Sequence, residues 1–288
     1  MNDSEIKQQV RQFYDRVGWQ MVGEGMYQNA RYEDLRPVSS EYISRCHLRV
    51  RCFLNQDGIY LLDAGCGPIQ YPDYLVYSQG YRYRVCLDIS LVALEEARKR
   101  IGAHGLYVVA DVANLPFKQD IFGGVVSLHT LHHLPVDDQT RAYHDLYRVL
   151  APESTAVLVN GWTESSLMNR LHWLVVLMER LAKLVSHRHK NQPAVKSTAR
   201  EKPAEPTGTY IHKQDAAWLR LQLQGMQFDI RCWRSVSVRF LRAVIHRFLA
   251  GRYILRLIYW FEERFPHYFG ENGQYPLVII RKGKEHRF

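Results

Sequence analysis

Several things are scarce in these 288 residues, and each scarcity removes a class of protein. The five cysteines, Cys46, Cys52, Cys66, Cys86 and Cys232, are odd in number, scattered and never in Cys-x-x-Cys spacing, which argues against a disulfide framework and against structural zinc. No stretch reaches the ~20 apolar residues that a membrane-spanning helix needs. The opening Met1-Asn2-Asp3-Ser4-Glu5 is polar and acidic, without the basic and apolar regions of a secretory signal, so a cytoplasmic setting is expected. The chain is not poor in apolar residues, however. At 47% hydrophobic and 23% charged it can bury a sizeable core, in one domain that carries insertions.

Charge is unevenly spread. Residues 161–288 hold 22 Lys and Arg against 10 Asp and Glu, whereas residues 1–160 hold 16 against 19, so the basic excess of the +9 chain belongs to its C-terminal part.

The organising stretch is Ile59-Tyr60-Leu61-Leu62-Asp63-Ala64-Gly65-Cys66-Gly67-Pro68: a short apolar run, an acid, then two alternating glycines. Such a run predicts a central parallel strand covered on both faces. Gly65 and Gly67 let the backbone turn sharply and let a ligand approach it, and a helix beginning near Gln70 would aim its N-terminal amides at that ligand. Two further runs also end in acids. Arg84-Val85-Cys86-Leu87-Asp88 leads into a helix from Leu91 to Arg100 capped by Ser90, and Gly105 to Ala110 leads into Asp111-Val112. An acid 20 to 25 residues past a glycine loop stands where a carboxylate can accept from both ribose hydroxyls. A dinucleotide is disfavoured: the third glycine of Gly-x-Gly-x-x-Gly is Gln70, and Asp63 beside the loop would repel a pyrophosphate while suiting a cationic amino group.

With Leu62-Asp63-Ala64-Gly65-Cys66-Gly67, Asp88-Ile89-Ser90, Ala110-Asp111-Val112-Ala113-Asn114-Leu115-Pro116-Phe117 and Tyr147-Arg148-Val149-Leu150-Ala151-Pro152, the chain from about Tyr14 to Asn160 resembles the class I S-adenosylmethionine-dependent methyltransferases, in their small-molecule and lipid branch. The resemblance implies S-adenosyl-L-methionine as cofactor. Asp63, Gly65 and Gly67 would surround its methionine part, flanked by Ala64 and Cys66, with Asp88 and Ile89 at the ribose and Asp111 with Val112 at the adenine; Ser127 and Tyr14 would complete the site. Pro68 and Glu153 depart from the family pattern, Glu153 standing where a turn glycine is usual after Pro152.

A fourth strand from Ile121 to His129, a helix from Asp137 to Leu150 and a fifth strand from Thr155 to Asn160 follow. The alternation implies an α/β, Rossmann-like doubly wound, mostly parallel seven-stranded sheet. His129, His132 and His133 lie at the end of the fourth strand, where His129 or His133 could serve as general base. No carboxylate or cysteine sits at ligand spacing from them, so no metal is expected. The Asp/Asn/Ser-Pro-Pro-aromatic motif of adenine amino methyltransferases is missing here, as is the Pro-Cys nucleophile of enzymes acting on pyrimidine carbon 5, which weakens nucleic acid as the acceptor.

Residues 1–55 are expected to form an N-terminal helical segment, its first helix capped by Asp3 or Ser4 and its Gly23 to Tyr42 part a loop or partial lid. Helical packing would resume from Tyr42 to Phe53. Residues 56–160 form the cofactor core, 161–210 a helical insertion (Leu167 to Val185) with a mobile loop at His187 to Pro206, and 211–288 the rest of the core. That last part holds a helix from Gln214 to Leu223, strands from Phe228 to Val236 and Tyr275 to Arg281, and a second helical insertion at about 238–270. Both insertions are amphipathic with interleaved basic residues. They suggest a cap over a small-molecule or lipid-like acceptor, with peripheral contact to an anionic membrane. The alternatives are an RNA or protein methyltransferase and a non-catalytic cofactor-binding protein.

Overall fold

Neighbouring side chains on a strand point to opposite faces, so an apolar run without alternation must be covered on both sides. Leu61 and Leu62, Val126 and Val125, Val157 and Leu158, and Ile279 and Ile280 divide in this way between two buried clusters. The computed structural model of the protein describes residues 2–20, 27–189 and 209–284. Its strands are β1 (Gly58–Ala64), β2 (Tyr81–Asp88), β3 (Gly105–Val109), β4 (Phe122–Leu128), β5 (Leu150–Val159), β6 (Gln227–Arg234) and β7 (Tyr275–Arg281). They form one sheet of order β3-β2-β1-β4-β5-β7-β6, with β7 antiparallel to both neighbours and the other pairs parallel. The order reverses between β1 and β4, and a doubly wound sheet opens its ligand crevice there, beyond the carboxyl ends of the strands.

The helices are α1 (Asp3–Phe13), α2 (Ser40–Leu48), α3 (Leu91–Ile101), α4 (Val136–Val149), α5 (Ser166–Arg170), α6 (His172–His189), α7 (Ala216–Gln222), α8 (Val238–Val244), α9 (Gly251–Arg264) and α10 (Pro266–Asn272). One face of the sheet is covered by α4, through Ala142, Tyr143, Leu146 and Val149, and by Leu219 of α7. The other is covered by Tyr42, Ile43 and Cys46 of α2, Val175 of α6, Phe240 and Leu241 of α8, and Leu255 of α9. Each fully buried Leu or Val there contributes about 1.5–3 kcal/mol of transfer free energy.

Several expectations are corrected. The first helix is capped by Asn2, in a reciprocal capping box with Glu5, not by Asp3 or Ser4. No α-helix follows the glycine loop. Pro72 pushes Tyr71 into extended backbone and opens only a 3-10 turn, Pro72–Ser78. The fifth strand begins at Leu150, five residues early, and its pairing with β4 slips between Phe122 and Gly124. Glu153 lies in that irregular stretch with φ 60°, in the left-handed conformation that a glycine would adopt without strain. The first insertion is two helices that break at Leu171, and the second is broken at Ala250, also left-handed. Of the expected 23–42 loop, residues 23–26 lie outside the described residues. The remainder includes a 3-10 turn, Gln28–Tyr32, and a buried Asp34 held by Arg36 and Ser39. Of the expected 187–206 loop, residues 187–189 continue α6 and 190–206 lie outside the described residues.

Candidate active site

The loop after β1 is held by the end of β2. The N–H groups of Gly65 and Cys66 both donate to the Leu87 carbonyl, at 2.7 and 3.1 Å, and the Gly67 N–H donates to Asp88 Oδ2 at 2.9 Å. Three successive loop amides are thus already satisfied, leaving none of them to cradle a pyrophosphate. The glycines make room for protein rather than for ligand: a Cβ on Gly65 would lie 2.2 Å from Thr130, and one on Gly67 would press on the Trp19 indole. Ser127 donates to the Ala64 carbonyl at 2.8 Å, and these two buried residues stand behind the loop, outside the lining of the cavity it borders.

The three acids of the sequence pattern sit side by side along that cavity, each with a different partner. Asp63 is buried against Arg84, whose Nε donates to Oδ2 at 3.0 Å and whose Nη2 pairs with the same oxygen. Asp88 accepts from Gly67 through one oxygen and from the Ser90 N–H, at 2.9 Å, through the other. Burial outweighs these two bonds and pushes its carboxyl up to about 6. Asp111 accepts from the Ala113 N–H at 2.9 Å and from Lys7 Nζ at 2.5 Å. Cys66, Ile89 and Val112 line the same space, and burial raises the Cys66 thiol well above its ordinary range, so it stays protonated.

An N-terminal strap crosses this end. Lys7 reaches Asp111 beyond β3, Asp15 accepts from Ser90 Oγ beyond β2 at 2.5 Å, and Tyr14 Oη lies 2.8 Å from His133 Nε2 beyond β4. His133 Nδ1 lies 2.8 Å from the Tyr210 carbonyl. A carbonyl only accepts, so Nδ1 carries the proton and Nε2 accepts from Tyr14. Tyr14 stacks on Trp19, centroids 4.9 Å apart. His129, with φ 56°, packs edge-on to Trp233 and Tyr275, and His132 Nδ1 lies 3.2 Å from Asn160 Oδ1. Burial pulls His129 down to about 3 and His133 to about 4, and it lowers His132 as well. All three are neutral imidazoles at pH 7, in surroundings that oppose proton uptake. Among the described residues no cluster of His, Cys, Asp or Glu is placed to hold a metal ion.

The cavity, about 1310 Å³, continues from the loop to a wall made by Met178, Glu179 and Ala182 of α6 and Val238, Arg239 and Ala243 of α8. No residue of α9 lines it; that helix is anchored instead by buried Glu262, which accepts from Tyr42, Arg49 and Ser235. Sequence reasoning missed Arg84, Lys7, Lys213, Arg234 and Glu33. Arg84 left a readable trace, as a basic residue inside a run that must be buried beside an acid-ended strand. Glu33 and Arg234, paired at 2.6 Å, are 201 residues apart and left none.

Sheet order, glycine loop and three acid-ended strands together give the Rossmann-like arrangement that the methyltransferase resemblance implied. Residues 62–158, about a third of the chain, match the family model described as a methyltransferase domain. The Homo sapiens protein named "Probable tRNA methyltransferase 9B" is 34% identical over 124 residues, which is 42% of this chain and 26% of that protein. Its Bos taurus counterpart is 32% identical over 126 residues, with the same coverage. The chain thus matches about a quarter of the length of these relatives. Among solved structures, phosphoethanolamine N-methyltransferase 1 of Haemonchus contortus, in complex with phosphoethanolamine and S-adenosylhomocysteine, superposes with a TM-score of 0.55 at 11% identity, over 100% of this chain and 51% of that one. The [4+2]-cyclase SpnF superposes with a TM-score of 0.52 at 16% identity, over 96% of each chain. These likenesses concern the fold, and a fold hosts more than one chemistry.

Proposed function

We propose that the chain transfers the methyl group of S-adenosylmethionine to a small or lipid-like acceptor held in the same cavity. The observation that carries this is the cavity itself. It runs from the glycine loop to the α6 and α8 wall, and its 1310 Å³ exceeds the ~300–1,000 Å³ of a single-ligand pocket. In this reading Gly65 to Gly67, with Asp63, border the methionine part, Asp88 accepts from the ribose, and Asp111 with Val112 faces the adenine. Asp88 has lone pairs left for hydroxyls after its two backbone bonds. The bound cofactor supplies an electrophilic sulfonium methyl; the chain aligns the acceptor with it and excludes water. His129 and His133, as neutral rings, position the acceptor, and Tyr14 closes the strap on His133. Residues 1–55 act as strap and support, 56–160 as cofactor core, and 161–210 with 238–270 as cap.

The exposed side of α9 suits an anionic membrane surface. Tyr253, Leu257 and Trp260 form an outward stripe preceded by Phe248, 81% exposed, with exposed Arg252 and Arg256 among them and Arg264 one turn beyond. Each basic residue near such a surface contributes about 1 kcal/mol. No helix among the described residues is long and apolar enough to cross a membrane. Sedimentation with anionic vesicles should show binding that salt weakens and that Phe248→Ser with Trp260→Ser abolishes. Wild-type protein left in the supernatant at low salt would remove this part of the reading.

An RNA acceptor is the second reading, favoured by the name of the tRNA methyltransferase relatives. Labelled methyl transfer into a fractionated extract of the source organism separates the two. Label in the organic or small-molecule fraction is expected. Label in the tRNA fraction would overturn it, and cofactor binding with no labelled fraction would leave a binding protein.

A further inference from the structure

The walls of the acceptor half carry five cations, Lys183, Lys213, Arg234, Arg239 and Arg242, against two carboxylates, Glu33 and Glu179. Both carboxylates are engaged, Glu33 by Arg234 and Glu179 by Arg239 at 2.8 Å through each of two oxygens. Lys213 differs from the other cations here. It is half-buried, its ammonium lies over Gly161 where a Cβ would stand 3.1 Å away, and among the described residues no carboxylate pairs with it. Its surroundings are the three neutral histidines and Tyr275. Burial pulls its ammonium below the ordinary range, as expected of an uncompensated charge.

This is a fixed feature. The Lys213 carbonyl accepts from Thr163 Oγ1 at 2.8 Å, the Gln214 carbonyl from the Thr163 N–H at 3.1 Å, and the His212 N–H donates to the His132 carbonyl at 2.7 Å. The segment that carries the ammonium is therefore clamped to the loops after β4 and β5, and its position does not depend on a flexible backbone. An unpaired cation half-buried beside neutral side chains is destabilised unless something anionic completes it.

Resting on the methyltransferase reading, we infer that Lys213 is the anchor of an anion subsite for the acceptor, so that the substrate class is an amphiphile bearing a carboxylate or phosphate. One other anion could reach it, the carboxylate of the cofactor's own methionine part, and the test separates the two. Octyl phosphate, octanoate and octanol are titrated calorimetrically into the protein loaded with S-adenosylhomocysteine, for the wild type, Lys213→Met and Lys213→Arg. Octyl phosphate or octanoate should bind the wild type, weaken about tenfold or more in Lys213→Met, as loss of one charge-assisted bond requires, and recover in Lys213→Arg. Octanol should bind all three alike, and S-adenosylhomocysteine affinity should not change. Equal affinity of both anions for wild type and Lys213→Met, or their failure to bind wild type, overturns the inference. So does a drop in S-adenosylhomocysteine affinity in Lys213→Met with the anions unaffected, which would assign the ammonium to the cofactor. Failure of the wild type to bind S-adenosylhomocysteine at all would instead sink the reading on which this rests.

Discussion

The cofactor half and the cap half of this molecule handle charge in opposite ways. Around the glycine loop each acid has donors close by: Asp63 has Arg84, Asp88 two backbone amides that burial nonetheless outweighs, and Asp111 Lys7 and another amide. In the cap, cations outnumber carboxylates along the cavity, and buried side-chain bonds tie distant segments, Tyr42 to Glu262 across 220 residues and Arg49 to Glu262 across 213. The first arrangement presents a preformed, nearly neutral cradle; the second presents a field in want of a partner. On the proposed reading, the cofactor would meet the side chains of a preformed cradle and the acceptor would meet the charge of the cap.

The largest effect should come from breaking the cap's anchor. Glu262→Ala leaves the buried Tyr42 and Ser235 donors without their acceptor and Arg49 with only one of its two carboxylates, Glu263, and should lower stability by about 3–5 kcal/mol in urea unfolding while folded protein keeps its cofactor affinity. Parallel losses of both would mean that the halves are not separable.

Next is the cradle. Asp88→Ala should weaken S-adenosylhomocysteine by roughly 2 to 3 kcal/mol in calorimetry, more than alanine at Asp63 or Asp111. The pH dependence has a definite sign. Because folding raises this carboxyl from its ordinary 3.8 to about 6, its stabilisation of the fold is full below 3.8 and is lost as pH climbs to about 6. Its acceptance of ribose hydroxyls grows over the upper part of that range, so affinity in the wild type should rise with pH through about 6. A flat profile would remove Asp88 from the ribose.

A smaller effect tests the junction between the halves. If His133 is the clasp of Tyr14, His133→Asn should lower turnover and cofactor affinity together, each by about tenfold. A fall in turnover on the order of 10² or more with affinity intact would restore it as general base.

The smallest lies in the sheet. Glu153→Gly should stabilise the protein by about 1 kcal/mol, relief of a left-handed φ offset in part by the freer unfolded chain. A lower melting temperature would show that the Lys284 ion pair or the side chain's packing matters more.

What could be read from the sequence follows the same division. The strand ends, the three acids and the mostly parallel sheet were legible because their determinants are adjacent residues: an apolar run, then an acid, then a cap such as Ser90. The missing helix after the loop was also written there, in Pro72, and a reading guided by glycine spacing passed over it. The anchors of the cap were not legible, since nothing local distinguishes Glu262 or Glu33 from solvated acids until the fold brings Arg49 and Arg234 to them. Lys213 belongs to the same category, being one lysine among many until the cavity closes around it.

The strap formed by Lys7, Tyr14 and Asp15 is fastened separately to the loops beyond β3, β4 and β2. A ligand beneath it would leave only after those fastenings part, so the strap should lengthen residence as well as tighten binding. Two of the three involve a charged side chain, and ionic strength should shorten occupancy while barely touching the on-rate of a neutral ligand. In the proposed methyl-transfer reading, release of the spent cofactor is the step that this strap would time.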